Sequence, residues 1–338
     1  MRCSKPAFDA GTELLRCPRC GARLSAVASG LRCDGGHELA VEDGIPMLFW
    51  PNEWADAKDD VTEQVKAFYE QTPFPSYDDF DSVKSLARKA REGGFARMLD
   101  EQVPPRVRIL ECGCGTAQLS NFLASGSREV YATDMCMNSL RLGKTFADRH
   151  GIARVRFVQQ NLFRPAFKPS SFHLVISNGV LHHTSDPHKA FEAIASLVAP
   201  GGYILIGLYH RYGRIASALR RALFRGSGEK LKLPDQELRR ADASDARREA
   251  WLNDQYRHPH ESKHTIGETL GWLQDAGFSF VNSIPSSRLF QPVGHDFQLF
   301  EPSEPAGAIE RSLAELLQVF SGGRDNGFFI VLGRRPLG

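Results

Sequence analysis

The stretch that most constrains the fold of this chain is Arg108–Thr116, which reads R-I-L-E-C-G-C-G-T. Its first half is largely apolar and ends at Glu111, just before two glycines, Gly113 and Gly115. This pattern is typical of a buried strand that enters a tight turn, and a helix is predicted to follow over 117–123. Because open α/β sheets bind small molecules at the carboxyl ends of their strands, the glycines predict close approach of the backbone to a ligand there.

The same stretch argues against one class of enzyme. A dinucleotide-binding fingerprint would need a third glycine at position 118, where this chain has Gln118. The mismatch therefore disfavours a nicotinamide or flavin enzyme.

Several segments after the first strand resemble one family in the expected order. Glu111–Thr116 resembles motif I of the class I S-adenosylmethionine (SAM) methyltransferases, and predicted strands 129–133 and 155–160 end at Asp134 and Asn161. The next strand leads into N-G-V-L-H-H-T at 178–184, a form similar to methyltransferases of quinone biosynthesis, and V-A-P-G-G follows at 198–202. The resemblance implies an α/β fold with a Rossmann-like, seven-stranded class I sheet, whose last two strands we predict at 278–283 and 328–332.

The resemblance also implies a cofactor site for SAM. In that family the acid at the position of Asp134 accepts both ribose hydroxyls, and the residue at the position of Asn161 reads the adenine amino group. The expected cofactor-binding residues are Glu111, Gly113, Gly115, Asp134, Met135, Asn161, Leu162 and Asn178.

Four residues near the N-terminus have the spacing of a metal site. Cys17, Cys20, Cys33 and His37 form C-x2-C-x12-C-x3-H, which predicts two knuckles around one tetrahedral Zn(II). Four protein ligands close the coordination shell, so the predicted role is structural. Residues 42–48 strengthen this interpretation, since they resemble the zinc ribbon of large-subunit rRNA guanine methyltransferases. The alternative is that the cysteines are small core residues and His37 lies on the surface.

The remaining cysteines have no predicted chemistry. Cys112, Cys114 and Cys136 lie in or beside the predicted cofactor loops, where small side chains pack well, and we interpret them as packing residues. Cys3 is unassigned.

Length and composition suggest one large domain and a small one. The chain has 338 residues, of which 42% are hydrophobic, enough for a sizeable core. We predict a zinc-ribbon domain at 1–50, a linker and helical lid at 51–104, and a methyltransferase domain at 105–338 with a helical cap insertion at 209–262. Lys and Arg number 42 against 40 for Asp and Glu, so the net charge says little about a nucleic-acid partner.

The chain shows no sign of a membrane association. No run approaches 18 apolar residues, and the N-terminus lacks the apolar core of a signal peptide. The expectation is a soluble, cytoplasmic protein. The sequence does not determine its oligomeric state.

The region before the first core strand is predicted to form a lid. A helix over 61–71 leads into T-P-F-P-S-Y at 72–77, in which two prolines stiffen the turn. Tyr69, Phe74 and Tyr77 either face the sulfonium or the acceptor, or they staple the helix to the domain. A further helix is predicted over 82–102.

The insertion has a basic first half and a histidine-rich end. The pattern of residues 211–232 predicts an amphipathic helix with seven Arg and Lys residues. Three interpretations compete for this helix: a cap over the acceptor pocket, a nucleic-acid contact, or a solvated face. We favour the cap because the insertion leaves the carboxyl edge of the sheet. Residues 251–264 resemble an Asp-x-Tyr-x-His-Pro segment of related methyltransferases and are expected to line the pocket. A loop and a helix over 306–320 are expected beside it.

Methyl transfer needs a nucleophile in line with the sulfonium methyl group and, for an OH or NH acceptor, a group that removes a proton. His182 and His183 follow the fourth core strand and have a suitable side-chain pKa; the alternative is that they only shape the loop. His210, His260 and Tyr69 are rival candidates.

Three hypotheses for function follow. The favoured one is a SAM-dependent methyltransferase for a small molecule, for example a secondary metabolite. The second is an RNA methyltransferase that uses the zinc ribbon and the helix 211–232 on phosphates. The third is an adaptor or regulatory subunit with a vestigial SAM fold, against which the intact cofactor motifs argue.

Overall fold

The computed structural model describes residues 12–53, 60–75, 77, 82–227, 238, 245–291, 293–294, 296–321 and 327–338. Within these ranges the strands are β1 Leu24–Val27, β2 Gly30–Cys33, β3 Glu38–Leu39, β4 Val41–Glu42, β5 Ile45–Leu48, β6 Arg108–Cys112, β7 Glu129–Asp134, β8 Val155–Gln160, β9 Phe172–Asn178, β10 Val198–Tyr209, β11 Ser279–Ile284 and β12 Phe328–Arg334. The helices are α1 Thr62–Gln71, α2 Val83–Glu92, α3 Gly94–Gln102, α4 Gln118–Ser125, α5 Met137–Arg149, α6 Pro187–Ala195, α7 Ile215–Gly226, α8 Asp245–Leu252, α9 Ile266–Asp275 and α10 Ala308–Ser321.

A mostly parallel sheet forms the centre of the fold, in the order β11-β12-β10-β9-β6-β7-β8-β5-β4. Strands β10, β9, β6, β7 and β8 are parallel, and β12 runs antiparallel to both β10 and β11. The predicted seven-stranded α/β sheet is confirmed. The strand order reverses between β6 and β9, and such a switch point opens a crevice at the carboxyl ends of the strands.

The N-terminal segment extends this sheet by two strands. Strand β5 lies parallel to β8, with Met47 opposite Gln159, and β4 pairs with β5 at the edge. Leu15 also forms a bridge with Phe167. The predicted boundary near residue 50 thus follows two strands that belong to the main sheet.

Successive residues of the central strands pack into two hydrophobic cores, one on each face of the sheet. Ile109 packs with residues of α3, α4 and α5, whereas Leu110 packs with residues of α6, α9 and strands β1 and β2. Successive side chains of a strand point to opposite faces, and burial of both faces explains why the core strands are almost continuously apolar.

The helix predicted over 82–102 is in fact two helices. Gly93 adopts an extended backbone (φ −79°, ψ 120°) and ends α2 while it caps α3. Two adjacent glycines, Gly93 and Gly94, disfavour a continuous helix there, because glycine loses more backbone entropy in a helix than any other residue. Ser82 and Ser85 form a capping box at the start of α2.

Candidate active site

A cavity of about 730 Å³ opens at the carboxyl ends of the central strands. Its walls come from α1 and the turn after it, the α2–α3 junction, the loops after β6, β7, β8 and β9, and the end of α8. All eight predicted cofactor-binding residues line it, namely Glu111, Gly113, Gly115, Asp134, Met135, Asn161, Leu162 and Asn178. The volume is within the range of small-molecule sites, roughly 300–1,000 Å³.

The turn after β6 lets the lid backbone lie directly on it. Gly113 and Gly115 have left-handed backbones with φ of +75° and +53°. A Cβ on Gly113 would overlap the side chain of Val180, and a Cβ on Gly115 would overlap the carbonyl oxygen of Phe74. Thr116 Oγ1 donates to the carbonyl oxygen of Pro75 at 2.6 Å, so the lid is bonded to the same turn.

Asp134 lies at the end of β7 with its carboxylate in the cavity wall. Its Oδ2 accepts from the backbone N–H of Gly115 and its Oδ1 from that of Cys136, both at 2.9 Å. Burial raises the pKa of Asp134 to about 6 even though these hydrogen bonds act in the opposite direction. Each oxygen keeps a second lone pair for a donor on a ligand.

Glu111 is the second buried acid of this region. The hydroxyl of Ser120 donates to Glu111 Oε2, and burial raises the pKa of Glu111 to about 7. The charge of Asp134 acts in the same direction. The buried carboxyl groups of Glu111 and Asp134 in the cavity wall therefore favour ligand groups that donate hydrogen bonds to them.

The amide of Asn161 joins the cavity wall to the linker. Its Nδ2 donates to the carbonyl oxygen of Trp50 at 2.9 Å and to Asn52 Oδ1 at 2.8 Å, and its Oδ1 accepts from the N–H of Phe163 at 3.1 Å. Recognition of adenine by Asn161 stays a prediction. By contrast, Asn178 Oδ1 is buried without a hydrogen-bond partner among the described residues and packs against Gly207, where a Cβ would overlap it.

The far end of the cavity contains a hydrogen-bonded group that includes residues of the insertion. Tyr69 donates its hydroxyl proton to Asp254 Oδ1 at 2.9 Å, and Gln255 Nε2 donates to Asp254 Oδ2 and to the hydroxyl oxygen of Tyr209, both at 2.8 Å. Burial raises the pKa of Tyr69 well above its usual value. Tyr69 is therefore a hydrogen-bond donor in this structure and not a proton acceptor.

His183 lines the cavity next to this group. Its Nδ1 lies 2.9 Å from the carbonyl oxygen of His260. A carbonyl can only accept, so Nδ1 carries the proton and Nε2 of the neutral ring is an acceptor. Burial lowers the pKa of His183, which keeps the ring neutral at pH 7.

The structure does not bring the other histidine candidates to the cavity wall. His182 is fully buried, with its ring 4.2 Å from that of His183 and 4.0 Å from that of Tyr209 between centroids. His210 Nδ1 accepts from the N–H of Gly213 at 3.1 Å, and its Nε2 lies 3.7 Å from Glu315. The backbone carbonyl oxygen of His260 accepts from His183, and its N–H donates to His258 Nδ1 at 3.2 Å. As proton acceptors, His182 and His210 are therefore poorly placed, because neither ring reaches the space where a substrate would lie.

The aromatic residues of the predicted lid divide between two roles. Phe74 and Tyr69 line the cavity. Tyr77 instead stacks on Phe146 at 4.6 Å and accepts a hydrogen bond from Asn121 Nδ2, so it staples the lid to the domain.

The three core cysteines are buried thiols. Burial raises the pKa of Cys112 and of Cys136 to about 12, and that of Cys114 well above its usual value. Such thiols are protonated and unreactive at neutral pH, as expected for packing residues. Cys3 lies outside the described residues.

The end of the insertion lines the cavity, but the described residues of the basic helix, 211–227, do not. Trp251, Asp254 and Gln255 supply the cap, whereas the arginines of α7 bond to the insertion itself. Helix α10 was expected beside the pocket; it packs against α9, and none of its described side chains lines the cavity. Its Glu315 accepts instead from the N–H of Gly267.

Sequence reasoning missed the α2–α3 junction and the linker. Lys89, Gly93 and Phe95 line the cavity, and the only signal for this was the pair of glycines that breaks the helix. Nothing local to Asn52 indicates its bond to Asn161, because 109 positions separate them.

The cysteines and the histidine near the N-terminus converge on one point. The ligand atoms of Cys17, Cys20, Cys33 and His37 lie within 4.8 Å of one another. Cys20 and Cys33 sulfurs are 3.7 Å apart, and His37 Nδ1 is 3.5 Å from Cys17 Sγ and 3.4 Å from Cys33 Sγ. A tetrahedral zinc with ordinary bond lengths separates two sulfurs by about 3.8 Å and sulfur from nitrogen by about 3.6 Å. The cluster thus fits this metal.

Parts of the chain are similar to known proteins. Residues 110–206 match a family described as "Methyltransferase domain". The chain is 30% identical over 256 residues to an uncharacterised protein of Synechococcus sp., an alignment that covers 68% of this chain and 61% of that protein. It is 32% identical over 108 residues to a ubiquinone biosynthesis O-methyltransferase of Klebsiella pneumoniae, covering 32% of this chain and 44% of that one. A SAM-dependent methyltransferase from Mesorhizobium loti superposes with a TM-score of 0.46 at 15% identity, over 73% of this chain and 100% of that one.

The chain has the α/β, Rossmann-like fold of SAM-dependent methyltransferases, and its residues 110–206 match the methyltransferase-domain family. Its sequence relatives include the uncharacterised Synechococcus protein and ubiquinone biosynthesis O-methyltransferases. The chain spans less than two thirds of the length of either relative. In the part of the chain that the structure describes, no helix is both long and apolar enough to cross a membrane.

Proposed function

We propose that this chain transfers a methyl group from SAM to a small-molecule acceptor enclosed by the lid and the cap. The observation that carries the proposal is one continuous cavity, which runs from Asp134 and the turn after β6 to His183 and the cap residues Asp254 and Gln255. A pocket walled on the acceptor side by α1 and by the insertion suits a small acceptor better than a polymer.

The residues at the cofactor end fit SAM. The turn after β6 forms part of this end, where Gly113 and Gly115 have no Cβ to overlap Val180 and Phe74, and Asp134 presents its carboxylate in the wall. In this proposal Asp134 holds the ribose hydroxyls, and Met135, Asn161 and Leu162 surround the adenine. When bound, SAM supplies the electrophilic methyl group.

We assign the proton transfer to His183. Its Nδ1–H is held by the carbonyl of His260, which fixes the ring and leaves Nε2 as the base. Nε2 accepts the proton of an acceptor OH or NH group as that atom takes the methyl group. Asp254, held by Tyr69 and Gln255, is placed to accept a second hydrogen bond from the acceptor and so to orient it.

We assign a structural Zn(II) to Cys17, Cys20, Cys33 and His37. The four ligands would close the shell and leave no open position, so the metal would hold the ribbon and take no part in methyl transfer. Because β5 extends the main sheet, the ribbon also supports the edge of the domain next to β8.

The alternative of an RNA methyltransferase depends on the helix 211–232. In its described part, Arg214 and Arg221 form ion pairs with Glu261 at 2.9 and 3.1 Å. The exposed residues of α7 include Ile215, Leu219 and Leu223. Lys230 and Lys232 lie outside the described residues. These exposed apolar side chains of α7 interrupt the basic surface that an RNA backbone would need, so this alternative is the weaker one.

A labelled-methyl assay tests the proposal. Extract is incubated with the protein and methyl-labelled SAM, then separated into RNA, protein and small-molecule fractions. We expect label in the small-molecule fraction, and expect it to vanish with Asp134→Ala. Label confined to RNA would establish the alternative instead.

A further inference from the structure

A second, smaller pocket lies between α7 and the end of the insertion. It has a volume of about 180 Å³ and lies apart from the main cavity, with no lining residue in common. Four cationic side chains and one acid line it: Arg214, Arg221, Arg225, Lys263 and Glu261. The formal charge of the lining is therefore +3.

The sequence of α7 builds this basic wall. Arg214, Arg221 and Arg225 recur at helical spacing on one face, and Ala218 and Ala222 line the pocket between them. Small side chains at those two positions leave space that longer residues would fill.

The guanidinium groups are held in place before any ligand arrives. Arg214, which is 2% exposed, donates to Gln255 Oε1 at 2.8 Å and to Glu261 Oε2 at 2.9 Å, while its guanidinium carbon lies 3.8 Å from the ring centroid of Tyr209. Arg221 donates to the same carboxylate at 3.1 Å and to the carbonyl oxygen of His258. Pre-organised guanidinium groups lose little entropy when they bind an anion.

One carboxylate does not neutralise this cluster. Burial lowers the pKa of Arg221, Glu261 raises it, and the neighbouring Arg225 and Arg214 lower it further. The Nε–H of Arg221 is buried and has no hydrogen-bond partner among the described residues. An unpaired buried donor and an excess of positive charge are costly unless an anion compensates for them.

We propose that this pocket binds a phosphate group. A phosphate carries close to two negative charges at pH 7 and offers several acceptor oxygens, which matches three guanidinium groups and an ammonium group. The pocket lies directly behind the acceptor end of the main cavity, because Arg214 contacts both Tyr209 and Gln255 and these two residues line that cavity. The phosphate is either free or part of the methyl acceptor.

Binding is tested with inorganic phosphate, which requires no methyl transfer. Calorimetry and thermal unfolding compare phosphate with chloride at equal ionic strength. At ten times the Kd we expect the Tm to rise by about 2 °C, and we expect Arg221→Gln with Arg225→Gln to lose this shift. Arg211→Gln is the matched control, since Arg211 lies outside the pocket and bonds to Glu268. Lys263→Gln gives a second test that leaves α7 intact.

Two results would overturn the proposal. One is the absence of phosphate binding by the wild-type protein, or equal binding by the pocket variants. The other is binding of an RNA oligonucleotide that the variants lose, without any binding of inorganic phosphate. SAM affinity is measured in parallel, so a failure here is distinguishable from a failure of the proposed methyl transfer.

Kinetics identify the source of the phosphate. If the group belongs to the acceptor, inorganic phosphate raises the KM for the acceptor and leaves the KM for SAM unchanged. If it is a separate ligand, it alters kcat without competing with the acceptor.

Discussion

His183 donates its Nδ1–H to the carbonyl oxygen of His260 at 2.9 Å, and this bond decides which ring nitrogen can act as a base. His260 belongs to the insertion, so the cap orients a side chain that the core loop after β9 supplies. The core and the insertion therefore build this part of the cavity wall jointly.

Replacement of His183 by Asn should lower kcat by about 10²- to 10⁴-fold, the usual contribution of a positioned general base. SAM affinity should not change. His182→Asn is the matched control and should change kcat far less, because His182 does not line the cavity. Wild-type kcat in the His183→Asn variant would show that His183 is not the base.

The pH dependence of kcat tests the same residue. Burial lowers the pKa of His183 below the ordinary value of about 6.5. The base is active when unprotonated, so kcat should stay constant from about pH 8 down to about 6.5 and fall only at lower pH. A fall in kcat that begins well above pH 6.5 would be inconsistent with this assignment.

Gly115→Ala should displace the lid and weaken SAM binding. The new Cβ would overlap the carbonyl oxygen of Phe74, and the left-handed backbone adds about 1–2 kcal/mol of strain. Thermal unfolding should show a lower Tm. Gly94→Ala is the control, since Gly94 lines the same cavity but a Cβ there would meet no atom within 4 Å. Equal effects of the two changes would refute the close contact.

Metal analysis of freshly purified protein should give about one zinc per chain, and Cys17→Ser should lose it. The Tm should also fall, because β5 belongs to the main sheet and Leu15 packs in its core. Cys136→Ser should keep its zinc, as Cys136 lies outside the cluster. Protein that is folded, active and free of zinc would rule out the metal site.

Local patterns were sufficient to predict the core of the fold. Strand β8 was predicted with its observed bounds, and the N-cap at Thr265 was predicted from its own residue type. The loops that line the cavity after β6 and β7 were also predictable, because glycines and an acid at the ends of strands mark the ligand-binding edge of an open sheet.

Contacts between distant segments were not predictable. The bonds of Asn161 to Trp50 and Asn52 join residues more than 100 positions apart. The basic helix illustrates the same limit. Its periodicity predicted one basic and one apolar face, but not which of the two faces the rest of the protein. Arg214 and Arg221 turn inward to Glu261, and Leu219 is 62% exposed.

Calorimetric titration with SAM tests the central claim most directly. The wild-type protein should bind one SAM per chain, and Asp134→Ala should weaken binding by at least about 100-fold, since two charge-assisted hydrogen bonds contribute about 3 kcal/mol or more. Because the pKa of Asp134 is raised to about 6, wild-type affinity should also fall as the pH drops below 6 and the carboxylate is protonated. Asp254→Asn, at the other end of the cavity, should bind SAM normally. Unchanged SAM affinity in Asp134→Ala would contradict the assignment of this cavity to SAM.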